Sequence, residues 1–415
     1  MDSNERKILA FTSFGHFFTH LYMLIFPVLL LPITRALDMP LEQILPKSFL
    51  MYLLYGLLAI PWGYLSDRFN PRIVMGSGII LAGAGFLISG TLKNPAFLSL
   101  SLALVGIGCA AYHPSGLSML SKGIRSRGKA MGLNGIFGNL GIATAPFAAG
   151  VLNYAFGWQT TLLILGIAGV GVGIICYIVP FSVDRDTDRQ QVSEVKKGNI
   201  LKLFLALCVA AIFSGLLFRG FTLILPSYLE TRLSGAFESL YAALNRAGES
   251  GVLSSEQGTL FAAVIAGCAY LVGMAGQVVG GRLADKFELK KTYLVFLLLA
   301  MPFLLLLRFG SGFGLIAFAG MVTFFTLGMQ PVENCMFAML TPPRWRSVAY
   351  GLKFTLTFGV GSLSVFLVNV VQDRWGIEAV ILLLTGYLAM VILLIVNLNL
   401  LGRSQPLRQI SVGKS

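Results

Sequence analysis

Six ionisable side chains sit well inside apolar runs of this sequence: His16, His20, His113, Arg219, Glu333 and Lys353. His16 and His20 stand four residues apart in SFGHFFTHLYMLIFP, and with His113 they are all the histidine in the chain. At i, i+4 the two imidazoles face one side of a helix. That spacing permits divalent-metal binding, proton exchange near neutral pH or, once protonated, attraction of an anion. Arg219 offers a planar fork matched to carboxylate, phosphonate or phosphate, and Lys353 a point charge. Glu333 is the one deeply placed acid among eighteen and a workable proton carrier. Cations outnumber acids in this set, so an anion is the expected guest. Arg219 and Lys353 would repel a metal ion, so no metal or cofactor is assigned, and divalent-metal transport stands only as a third reading.

The elements that hold these groups must cross a membrane. The chain is 56% hydrophobic and 12% charged, about half the charged fraction of a soluble globule. Apolar runs of the length that spans a bilayer, about 20 residues, fall at roughly 8–33, 44–66, 72–91, 97–120, 128–155, 158–181, 200–229, 257–283, 291–309, 313–340, 347–371 and 378–401. These are numbered spans 1 to 12. They are twice the length of a membrane strand and lack its alternation, which excludes a barrel. The expected fold is therefore all-α, twelve transmembrane helices. A charge at mid-membrane costs at least about 2.5–3.5 kcal/mol on insertion scales, so the six buried groups default to function.

Charge in the loops sets the expected orientation. Of 31 Lys and Arg residues, 22 lie on the side of the N-terminus and seven on the other, which the positive-inside rule reads as both termini cytoplasmic. The same distribution accounts for the net charge of +13 without nucleic acid. The first span is too long for a cleaved signal and is expected to remain as a helix. The five cysteines lie in spans without paired spacing, which supports neither disulfides nor a zinc ribbon.

SVDRDTDRQQVSEVKKGN divides the chain into residues 1–181, a cytoplasmic linker at 182–199, and residues 200–415. The halves are related: GYLSDRF at 63–69 matches GRLADKF at 281–287, and RSRGKAMGL from Arg125 matches RWRSVAYGL from Arg344. Two matches in register mark an internal repeat of six spans, which puts a substrate site between the halves near the midplane. At the cytoplasmic ends, Gly63, Asp67, Arg68, Arg127, Gly281, Asp285, Lys286 and Arg346 form a candidate conformational latch, in which each carboxylate pairs with arginine or meets a helix N-terminus.

GYLSDRFNPR and GRLADKFELKK resemble the two loop signatures of the major facilitator superfamily. With twelve spans, a central linker and the repeat, the resemblance covers essentially the whole chain. It implies two pseudo-symmetric six-helix bundles working by alternating access as a secondary transporter in the bacterial inner membrane, expected as a monomer. Within that superfamily His16, His20, Pro27 and Pro32, with ALVGIGCAAYHPSG in span 4, resemble the fosmidomycin-resistance type of efflux protein. That type usually carries aspartate where His20 stands and often glutamate where Ser115 stands.

The resemblance also implies that spans 1, 4, 7 and 10 line the central cavity. His16 and His20 belong to span 1, His113 to span 4, Arg219 to span 7 and Glu333 to span 10, with Lys353 on span 11. Aligning Pro27 with Pro226 brings His20 onto Arg219; aligning Pro114 with Pro331 brings His113 onto Gln330. Gln330, Glu333, Asn334 and Phe337 share one face of span 10. The expected substrate-binding set is His16, His20, His113, Arg219, Gln330, Glu333, Asn334 and Lys353, and the expected proton-coupling set is Glu333, His20 and His113. Bland alternatives are a Lys353 that snorkels to the membrane surface, an Arg219–Glu333 ion pair, and a His113 that serves the kink at Pro114. Tyr22 and Tyr112 read as packing aromatics.

For direction, GIATAPFAAG in span 5 resembles a degenerate antiporter motif, with Ala145 and Ala149 in glycine positions. Proton-driven export of a small organic anion or drug is the first expectation, and proton/anion symport the alternative. In loop 231–256, Phe237, Leu240, Tyr241 and Leu244 suggest a short amphipathic helix lying on the outer bilayer surface or, as the alternative, over the cavity mouth. Nothing resembles a nucleophile with its base or a metalloprotease helix, so an enzyme is not expected.

Overall fold

The computed structural model describes residues 1–91, 94–124, 127–180, 200–244, 254–341 and 346–401. Among these, every regular element is helical. Ten helices are long and apolar enough to cross a membrane, and a bent pair in span 2 makes eleven. The stretch Arg127–Ile178 breaks at Gly157, whose φ of 79° is left-handed. At about 1.5 Å per residue its 52 residues exceed twice a bilayer core of about 30 Å, so it crosses twice, as spans 5 and 6. That makes twelve crossings.

Several spans depart from straight helices. Span 1 runs unbroken as Ser3–Leu37, its start fixed by reciprocal bonds between Asp2 and Glu5. Span 2 is built from Leu41–Ile44, Leu45–Ser48, Phe49–Leu57 and Ala59–Arg68. Span 4 divides into Pro95–Cys109 and Tyr112–Gly123, just ahead of His113 and Pro114. Span 11 passes from Arg346–Phe354 through a π-helical turn, Thr355–Gly359, and a tight one, Val360–Leu363, into Ser364–Trp375. Such wide turns recur at functional sites because they re-aim side chains.

The repeat has a structural counterpart. On span 2, Gly63 faces Pro114 of span 4; on span 8 (Ser255–Lys286), Gly281 faces Pro331 of span 10 (Gly312–Leu340). The two halves come into close backbone contact where Gly56 of span 2 meets Gly359 of span 11: a Cβ on Gly56 would lie 2.0 Å from the Gly359 nitrogen. Thr355 seals the contact by donating to the Gly56 carbonyl at 3.3 Å. At the end of the bundle remote from the N-terminus, Arg35 of span 1 pairs with Glu230 of span 7 and donates to Thr259 and the Ser255 carbonyl of span 8.

One expected element is absent. Residues 231–244 do not form a separate surface helix: span 7 continues without a break as Ile200–Leu244, 45 residues. Thr231 and Ser239 bond back to the carbonyls of Ser227 and Gly235, as in a continuous helix. Phe237 is buried against Phe261 of span 8 instead of facing lipid. The side chains of Leu240, Tyr241 and Leu244, residues 245–253 and the linker 182–199 lie outside the described residues.

Candidate functional site

The two halves bring different chemistry to their interface. In the first half the three histidines converge, with one ring nitrogen from each within 4.8 Å of the others. His16 and His20 touch through their Nε2 atoms at 3.1 Å. His16 Nδ1 lies 2.9 Å from the Asn134 carbonyl, which can only accept, so this nitrogen carries the hydrogen. One turn along span 5, Gly138 leaves room for the ring, since a Cβ there would stand 2.5 Å from His16. Tyr112 stacks on His16 with centroids 4.7 Å apart and donates to Asn134 Oδ1 at 2.8 Å. Tyr112 thus packs against the histidine cluster, as an aromatic that also ties it to span 5. Tyr22 donates to the Leu165 carbonyl, a structural tie between spans 1 and 6. His113 meets the Tyr55 hydroxyl at 2.9 Å through Nε2 and stacks on Phe354 of the other half.

The second half carries the charge. Glu333 and Lys353, 3% and 5% exposed, form an ion pair at 3.5 Å. Lys353 also donates to Asn334 Oδ1, and the Tyr293 hydroxyl lies 3.4 Å from Glu333. This corrects two alternatives: Lys353 is buried and paired rather than snorkelling, and the partner of Glu333 is Lys353 rather than Arg219. Gln330 accepts from Gln277 at 2.9 Å, and Gln277 in turn accepts from Asn139 of span 5, a polar chain across the halves.

Arg219 is 2% exposed. Its guanidinium lies 3.6 Å over the ring of Tyr52 on span 2, within electrostatic reach of His20. Its Nε and Nη1 are buried and have no acceptor among the described residues. A buried donor left unmade costs about 1–3 kcal/mol, and more when charged. On the same span, Phe218 and Phe221 with Phe354 and Phe358 wall a cavity of about 80 Å³ whose polar groups are Gln330, Glu333, Asn334, Lys353 and the hydroxyls of Ser214, Thr326 and Thr357; Arg219 itself is not among its lining residues. The expected residues thus gather in two adjoining clusters instead of a single site.

The candidate latch is only partly visible. Arg68 stacks on Tyr64 of its own span and Lys286 is exposed. The side chains of Asp67, Arg127, Asp285 and Arg346 lie outside the described residues. Sequence reasoning missed Tyr52, Tyr55, Asn134, Gln277 and Tyr293. Tyr52 and Tyr55, three residues apart on span 2, carried a readable signal: two hydroxyls on one helical face in an apolar run.

Comparison with known proteins now fits this architecture. A family model described as Major Facilitator Superfamily matches residues 10–248. The chain belongs to the major facilitator superfamily. It is 23% identical over 328 residues to the fosmidomycin resistance protein of Escherichia coli, covering 77% of this chain and 74% of that protein. It is 28% identical over 129 residues to an Escherichia coli protein named "Probable L-galactonate transporter", covering 31% of this chain but only 28% of that protein. Its fold is similar to a crystal structure of a bacterial homologue of the human lysosomal transporter Spinster, with a TM-score of 0.70, 16% identity, and coverage of 97% and 98% of the two chains. Family and fold are those of multi-pass membrane transporters, a class that binds small-molecule substrates within the membrane, and not those of enzymes.

Proposed function

We propose that this superfamily member carries a small organic anion across the bacterial inner membrane by alternating access, with both termini cytoplasmic, and that Arg219 anchors the anionic group. The observation that carries this reading is the buried guanidinium with two donors unmade, at the interface of the halves, while Lys353 nearby is already paired with Glu333. A carboxylate or phosphonate would satisfy both donors in one plane. The aromatic walls of the adjoining cavity suit an apolar body, and its amides and hydroxyls suit the polar substituents.

The Glu333–Lys353 pair supplies the proposed coupling. A proton on Glu333 removes the charge that neutralises Lys353 and makes the site more positive. Proton and anion then bind cooperatively, and reciprocal linkage favours moving them together. On this reading symport comes first, where the sequence alone put exchange first. Export by proton exchange is the second reading, favoured by the fosmidomycin resistance match over most of both chains.

Proteoliposomes loaded or bathed with a panel of carboxylates and phosphonates test the reading. Arg219→Gln should abolish flux that Arg219→Lys partly retains; undiminished flux in Arg219→Gln would exclude the anchor. Accumulation driven by a proton gradient in the same direction as the solute supports symport, and accumulation only against it supports exchange.

A further inference from the structure

We infer that His16, His20 and His113 form a binding site for a divalent transition-metal ion of the Zn²⁺, Ni²⁺ or Co²⁺ type. Three imidazoles are the donor set such ions prefer over Mg²⁺ or Ca²⁺, which take oxygen ligands. At metal–nitrogen distances of about 2.0–2.1 Å, tetrahedral ligands stand about 3.3 Å apart. His16 Nε2 and His20 Nε2 already stand at 3.1 Å, and the third ring nitrogen lies within 4.8 Å.

The surroundings orient these rings as ligands. The Asn134 carbonyl holds the hydrogen on His16 Nδ1, so the neutral ring directs the lone pair of Nε2 at His20. A carbonyl on the second nitrogen is the support that metal-bound histidines use. The Tyr55 hydroxyl can take the hydrogen of His113 Nε2 in the same way. Tyr112 on His16 and Phe354 on His113 fix the ring planes by stacking. If the Nε2 hydrogen of His20 moves to Nδ1, two lone pairs face each other 3.1 Å apart, an arrangement a shared cation stabilises.

The electrostatic objection to a metal rested on Arg219 and Lys353 together. Lys353, which lies within electrostatic reach of His113, is paired with Glu333, and Arg219 opposes the metal from the side of His20 without an acidic partner among the described residues. The site therefore binds metal chiefly against the unpaired charge of Arg219, and removing that charge should tighten it. Three protein ligands also leave a fourth position for water or an anion.

The test is titration of the purified full-length chain in detergent with Co²⁺ and Zn²⁺, followed by calorimetry and by the visible Co²⁺ spectrum. One Co²⁺ per chain with the intense absorption of a four-coordinate nitrogen site is expected. His20→Asn and His113→Asn should each weaken binding at least tenfold while eluting as folded protein. Arg219→Gln should bind Co²⁺ several-fold more tightly, the opposite of its expected effect on organic anions, so the two readings fail separately. Gly138→Ala, which displaces His16 without removing a ligand, should also weaken binding. Absence of saturable binding, or binding undiminished in His16→Asn/His20→Asn/His113→Asn, as exposed Cys268 would produce, overturns the proposal.

Discussion

The first half holds its polar groups as rings bonded to one another, and the second half holds full charges, one of them with two donors unmade. His16, His20 and His113 are bonded to each other, to Asn134 and to Tyr55. Across the interface Glu333 and Lys353 neutralise one another, and Arg219 rests on the Tyr52 ring. The halves descend from one repeat pattern, with Gly63 on Pro114 in one and Gly281 on Pro331 in the other. A shared scaffold has thus kept its packing contacts and diverged in the few side chains that face the interface. Packing is fixed by backbone approach and tolerates little change, whereas a group at the interface answers only to what it binds.

The sharpest way to break the contrast is to leave a charge alone in the second half. Glu333→Gln strands Lys353 in a buried site and should cost about 3–5 kcal/mol of stability. Glu333→Gln/Lys353→Met should recover most of it while losing proton dependence, with melting in detergent and flux as readouts. Next, Arg219→Gln should weaken organic-anion binding by about 2–5 kcal/mol with little loss of fold, measured as the lost thermal shift with carboxylate ligands. On the first-half side, Gly138→Ala pushes a methyl into the His16 ring and should cost about 1–3 kcal/mol. It should disturb the imidazoles, seen by histidine NMR resonances, and leave the Glu333–Lys353 pair intact. The smallest effect belongs to the partly exposed Arg35–Glu230 pair that joins the halves at the far end. Arg35→Gln should change stability by under about 1 kcal/mol yet alter accessibility of nearby engineered cysteines.

Fold was legible because apolar run length and loop charge are properties of whole segments. Twelve spans and the repeat follow from patterns in which single residues hardly matter. The ionisable site residues were legible for a related reason: a charge in a span stands out against the apolar sequence around it. What the sequence hid was pairing. Whether Glu333 would meet Arg219 or Lys353 depends on the rotation of spans 7, 10 and 11, and a wide turn in span 11 has no signature in TLTFG. Tyr55 and Asn134 were passed over because uncharged polar residues are common in helical spans and gain meaning only from the ring they face. Near Phe237 the sequence pattern pointed to lipid, but Phe237, the one side chain of that stripe among the described residues, is buried against Phe261 of span 8. Periodicity identifies a face without saying what covers it.

The wide turn at Thr355–Gly359 makes chain length itself a determinant of chemistry. A helix rotates about 100° per residue, so the additional residue in that turn offsets everything before it from everything after it. Lys353 reaches Glu333 ahead of the turn, while Gly359, the last residue of the turn, lies against Gly56. Deleting one residue within the turn would keep either alignment and lose its counterpart, although no contacting side chain had changed. Relatives that differ by one residue at this point would be expected to differ in charge pairing, and therefore in what they carry, before any substitution in the cavity is considered.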